Sequence, residues 1–157
     1  AGWRNRASNH PEVSSSVELS LHAPQSGRSS LRMQAWPKKI EATPAVVESP
    51  PIAITSAPVP VQRGQFLRIH GWVRVPEEIQ SSMDGLLVYD SLAGDELALR
   101  IGQSGDWREF TMYRTVTHSG NLTVTFALTG FGEAWLDNVT VSPVQMRGVA
   151  VDSPPRR

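Results

Sequence analysis

Residues 65–75 read Gln-Phe-Leu-Arg-Ile-His-Gly-Trp-Val-Arg-Val, with an apolar or small residue at every second position. Successive side chains of an extended chain point to opposite faces. Leu67, Ile69, Gly71, Val73 and Val75 therefore share one face, and Phe66, Arg68, His70, Trp72 and Arg74 share the other. A helix would scatter both sets around its circumference. The segment specifies a strand with one face in a core and one amphipathic face, and a strand of that kind needs a second layer to cover its apolar side.

The same period returns along the chain, over residues 17–21, 29–36, 86–90, 97–101, 107–116, 122–128 and 133–144. In 29–36, Leu31, Met33 and Ala35 alternate with Arg32, Gln34 and Trp36, and in 122–128 Leu122, Val124, Phe126 and Leu128 mark one buried side. Gly, Ser and Asp clusters separate the runs, as at Pro24-Gln25-Ser26-Gly27 and His118-Ser119-Gly120-Asn121. Six of the 12 prolines fall between Pro37 and Pro60, which excludes helix there and makes the middle of that stretch a connection or an edge. Ile52, Ile54, Val59 and Val61 keep the two-residue period around a kink at Ser56-Ala57-Pro58, so the stretch stays inside the domain. The one helix candidate is residues 76–82, where Glu77 and Glu78 suit a first turn. The expectation is an all-β antiparallel sandwich of jelly-roll type over residues 17–144. It is preceded by an irregular segment or partial first strand (1–16) and followed by a tail or linker (145–157).

A chain of 157 residues suits one such core. Fifteen basic residues balance fifteen acidic ones, so no net field draws in nucleic acid. There is no cysteine, which removes thiol catalysis, disulfides and thiolate zinc sites. No apolar run has the length needed to insert in a membrane as a helix. The missing initiator Met and the tail at 152–157 are those expected of a piece of a longer polypeptide.

The closing segment Gly132-Glu133-Ala134-Trp135-Leu136-Asp137-Asn138-Val139-Thr140-Val141 resembles the last strand of carbohydrate-binding-module-like, or galactose-binding-domain-like, jelly rolls, in the version found on uncharacterised bacterial envelope proteins. Gly27-Arg28-Ser29-Ser30-Leu31-Arg32, Gly71-Trp72-Val73-Arg74 and Gly105-Asp106-Trp107-Arg108 resemble three further strands of that family, in the family's order. The resemblance implies a non-catalytic accessory module that binds a glycan or other extracellular polymer, set in the cell envelope or outside the cell. It also implies a structural calcium with Asp137 among its ligands, although the family's other ligand segment has no counterpart at residues 1–11. The alternative is a structural or assembly module whose surfaces serve neighbouring domains or protein subunits.

Sugar recognition needs an aromatic surface for the apolar face of a pyranose and polar groups for its hydroxyls. Trp72 shares a face with Arg68, His70 and Arg74, which makes these four the centre of the expected site, with Tyr89, Tyr113 and Trp36 as neighbours. Trp72, Trp107 and Trp135 suit core or rim packing equally well. Asp90, Asp95 and Glu96 form an acidic stretch that reads as a solvated hairpin loop, and His10, His22, His70 and His118 lack zinc-motif spacing. Glu133 and Asp137 fall roughly 13 Å apart on one strand face, too far for a glycosidase pair. The sequons at Asn121 and Asn138 begin on or beside strands, where Thr is common, and read as coincidence.

Overall fold

The structure is a computed structural model that describes residues 2–145; most of the tail expected from 145 onward lies outside the described residues. Twelve strands account for nearly all regular structure: β1 (Arg4–Ala7), β2 (Val13–Ser20), β3 (Ser30–Pro37), β4 (Ile52–Thr55), β5 (Val59–Val61), β6 (Phe66–Arg74), β7 (Leu86–Asp90), β8 (Gly94–Ile101), β9 (Arg108–Thr115), β10 (Gly120–Leu122), β11 (Val124–Leu128) and β12 (Gly132–Pro143). A single 3-10 turn spans Ile40–Ala42. All strand pairs are antiparallel. The back sheet has the order β1-β4-β11-β7-β8, the front sheet β2-β3-β12-β6-β9, and β5 and β10 form a short ribbon. The chain crosses repeatedly between the two layers, so each apolar strand face meets the other sheet, as the jelly-roll expectation requires.

Between the layers lie Met33, Ile52, Ile54, Ile69, Val73, Leu86, Val88, Leu122, Phe126 and Leu128, all essentially without solvent contact. Each contributes about 1.5–3 kcal/mol by leaving water. Phe110 and Phe126 meet edge to face at 5.8 Å in the middle of this core. Gly71 explains itself here, since a Cβ at that position would lie 2.8 Å from the Phe110 ring.

Four expectations need correction. The amino-terminal segment joins both sheets: β1 pairs with β4, and β2 begins at Val13 rather than at residue 17. The stretch 76–82 is irregular rather than helical: Gln80 exchanges two 2.8 Å backbone hydrogen bonds with Phe131 and Ile79 is buried, leaving Glu77 and Glu78 exposed. The middle of the Pro-rich stretch is a connection, as expected, but β4 after it lies between β1 and β11 as an inner strand, and β11 is buried on both faces rather than one. Finally, Asp90 is not a solvated loop residue. It is fully buried; its Oδ2 accepts a 2.7 Å hydrogen bond from Arg114 Nε across the two sheets, while Oδ1 accepts from the amides of Leu92 and Ala93.

Candidate functional site

The outward face of the front sheet is set by register. β6 lies between β12 and β9, so three cross-strand rows form: Asp137, Trp72 and Glu109; Thr140, His70 and Thr111; Ser142, Arg68 and Tyr113. Phe66, one step further along, stacks on Tyr113 with ring centroids 5.5 Å apart and planes 6° from parallel. Along the strands Trp72 stands roughly 13 Å from the row of Tyr113 and roughly 20 Å from Phe66, and the rings bracket a polar cluster. In that cluster the Glu109 carboxylate accepts a hydrogen bond from His70 Nε2 and lies 3.9 Å from Arg68 Nη2. Tyr113 is exposed, while Trp72, His70 and Arg68 are half-buried.

A second group lies on the same face toward the other end. Arg74, Trp135, Arg32 and Glu18 form one row across β6, β12, β3 and β2. Trp135 is buried at 5 % exposure, and the Arg32 guanidinium sits 4.9 Å from its ring centroid. Arg32 Nε and Nη2 donate to Glu133 Oε2 at 3.0 and 2.5 Å.

The loop joining β2 to β3 bends over this face. Trp107, just before the far edge strand β9, donates its indole N–H to Ala23 O at 3.2 Å. From β12, Asp137 Oδ2 accepts from Ser26 N, and Asn138 Nδ2 donates to Gln25 Oε1 and Ser26 Oγ. A bulge between Asp137 and Thr140 makes this reach possible. Asn138 holds φ at +50°, a left-handed value that Asn tolerates better than most residues, and so breaks the strand alternation. The loop is thereby a strap between the Phe66–Tyr113 end and the Trp135 end.

The residues expected from sequence thus separate into three groups. Arg68, His70, Trp72, Arg74 and Tyr113 come together on the front face. Trp36 lies on the same face and is 45 % exposed, but it stands roughly 20 Å from Trp72 by strand rise and spacing. Tyr89 does not join them: β7 belongs to the back sheet and Tyr89 points outward there, opposite Thr125. Asp137 Oδ1 and Oδ2 accept backbone N–H groups from Asn138 and Ser26. Among the described residues no three His, Cys, Asp or Glu side chains cluster together.

Sequence reasoning missed Glu109, Phe66 and the Arg32–Glu133 pair as members of this surface. Arg32 and Phe66 were visible as outward residues by alternation, whereas their partners depend on register.

No protein-family model matches the chain, and no curated protein matches it in sequence. Solved structures do match. A carbohydrate-binding module of family 4 superposes with a TM-score of 0.60 at 15 % identity, over 90 % of this chain and 86 % of that one. The xylan-binding family 22 module of Xyn10C from Paenibacillus barcinonensis gives 0.52 at 12 % identity, over 92 % and 87 %. A domain of tailspike protein 4 from bacteriophage CBA120 gives 0.62 at 9 % identity over 92 % of this chain, which spans only 20 % of the tailspike chain. The chain therefore has the jelly-roll fold of carbohydrate-binding modules, as its closing-strand motif suggested.

Proposed function

We propose that the front face binds polysaccharide reversibly and without chemistry, as an accessory module of an extracellular or cell-envelope protein. The observation that carries this reading is the placement of Trp72 and the stacked Phe66–Tyr113 pair on either side of Arg68, His70 and Glu109. Flat rings receive the apolar faces of sugar rings, and the planar polar groups between them bond hydroxyls in pairs. The carboxylates of this face are engaged elsewhere: Glu109 with His70, Glu133 with Arg32, Asp137 with backbone amides. That leaves no facing pair for general acid and base, which favours binding over hydrolysis. The likeness to sugar-binding modules in fold agrees with this reading, and among the described residues no helix is long and apolar enough to cross a membrane.

The test is affinity electrophoresis through gels that contain a panel of soluble neutral and acidic polysaccharides. Retardation on at least one polymer, lost in Trp72→Ala and Tyr113→Ala while both variants melt cooperatively, supports the reading. Wild-type mobility unchanged on every polymer removes it.

A second reading, a structural or assembly module, draws on Leu19 on the free edge strand β2 and Leu21 just past its end, which stand 74 % and 79 % exposed. Concentration-dependent sedimentation abolished by Leu19→Lys would favour it.

A further inference from the structure

Beside the strap the front face has an open recess of about 260 Å³, lined by Ser20, His22, Arg32, Arg74, Glu133 and Trp135. Its hydrogen-bonding groups are unbalanced. Arg32 is paired with two carboxylates, Glu133 Oε2 accepting from Nε and Nη2 and Glu18 Oε1 lying 3.4 Å from Nη1. Arg74 flanks Trp135 on the other side. Its hydrogen bond is from Nε to Gly105 O at 3.4 Å, and among the described residues it pairs with no carboxylate. Trp135 itself is 95 % removed from solvent, and its Nε1 has no acceptor. The recess is thus bordered by a guanidinium with no partner on either Nη among the described residues, and its one carboxylate holds Arg32 through Oε2.

A neutral sugar hydroxyl would leave the charge of the Arg74 guanidinium, which pairs with no carboxylate among the described residues, without a counter-charge. A carboxylate only accepts. Its two parallel oxygens fit the fork of a guanidinium, the geometry in which Arg binds most strongly and Lys does not substitute. We propose that the recess is a subsite for a uronate, the carboxylate-bearing sugar unit of an acidic polysaccharide, with Arg74 as the bidentate partner. This rests on the polysaccharide-binding reading and names the class of polymer. Ser20 at the end of β2 and His22 at the start of the strap complete the lining of the recess.

The experiment is affinity electrophoresis and calorimetry of the full chain on polygalacturonate, alginate and glucuronoxylan. Each is compared with its own carboxyl-reduced form, and dextran sulfate serves as a polyanion without carboxylates. The expected result is binding to at least one of these polymers that falls tenfold or more on carboxyl reduction, with little binding to dextran sulfate. Arg74→Gln should lower affinity for the native polymer tenfold or more and bring native and carboxyl-reduced forms to within about twofold of each other, whereas Arg74→Lys, which keeps the charge but not the fork, should restore only part of the difference. Equal binding to the native and reduced forms, or binding to dextran sulfate as strong as to the polyuronate, overturns the uronate subsite and leaves the polysaccharide reading standing. Absence of binding to every neutral and acidic polymer removes both.

Discussion

The two sheets of this sandwich use their outward faces differently. On the back sheet the central rows carry small residues, Ala53 with Ala127 and Thr55 with Thr125; Thr125 and Ala127 are buried, and the two threonine hydroxyls bond to each other at 3.0 Å. On the front sheet the corresponding rows carry Trp72, His70, Arg68 and Trp135, and a loop folds over them. Small residues let a sheet seal itself, whereas large aromatic and charged ones leave recesses between them. The back sheet keeps Tyr89 beside Thr125 on its outward face, but no second aromatic group brackets a polar cluster there among the described residues.

That division requires the two layers to stay in register, and the most severe way to break it is at the buried ion pair that joins them. Asp90 comes from the back sheet and Arg114 from the front sheet, and the carboxylate is wholly inside. Asp90→Ala leaves a guanidinium nearly buried and unpaired, along with two freed loop amides. Removing one partner of such a pair costs about 3–5 kcal/mol. Urea unfolding should show that loss as a lower midpoint with an unchanged slope.

The strap is the next point of attack. Asp137→Ala removes the acceptor of Ser26 N and Asn138 N, and hydrogen bonds to a charged group make about 2 kcal/mol a reasonable expectation for the pair. Because those amides occupy the carboxylate, chelation with EDTA should shift the wild-type melting temperature by less than about 1 °C, against the several degrees that loss of a tightly bound ion produces. A large EDTA effect would mean that the loop is organised around a cation instead.

How much of this was legible follows from what alternation encodes. The two-residue period of β6 assigned Arg68, His70, Trp72 and Arg74 to one face correctly, because a strand fixes face membership by itself. It could not say which sheet a strand enters, so Tyr89 was grouped with Trp72 although β7 lies on the opposite layer. The strap depends on contacts between residues 84 and 111–113 positions apart in the chain, and on a left-handed Asn138 that breaks the period. Residues 76–82 carry a genuine local helix signal at Glu77 and Glu78. Burial of Ile79 and the paired bonds to Phe131 outweigh it, as tertiary packing commonly outweighs propensity.

Binding separates the faces more directly than stability does. Trp72→Ala should weaken retention on the polymer that binds by about tenfold or more, near 1.4 kcal/mol, while its half-buried ring makes only a modest contribution to the melting temperature. A variant that loses fold and binding together would indicate that Trp72 packs rather than contacts ligand, and Tyr113→Ala, at an exposed ring, would then carry the test.

The smallest expected effect is the most discriminating one. Tyr89 is an aromatic residue in a strand beside a hydroxyl-rich neighbour, Thr125, so by composition alone it is as good a sugar contact as Tyr113. It differs in standing on the back sheet, with the whole core between it and the Arg68–His70–Glu109 cluster. Substitutions at distant sites act independently, so Tyr89→Ala should change affinity by less than about twofold, provided the variant melts cooperatively. If Tyr89→Ala instead matched Trp72→Ala in its loss of binding, the ligand would be wrapping the edge of the sandwich. The front sheet would then be only part of the binding surface, and the contrast between the two faces would fail.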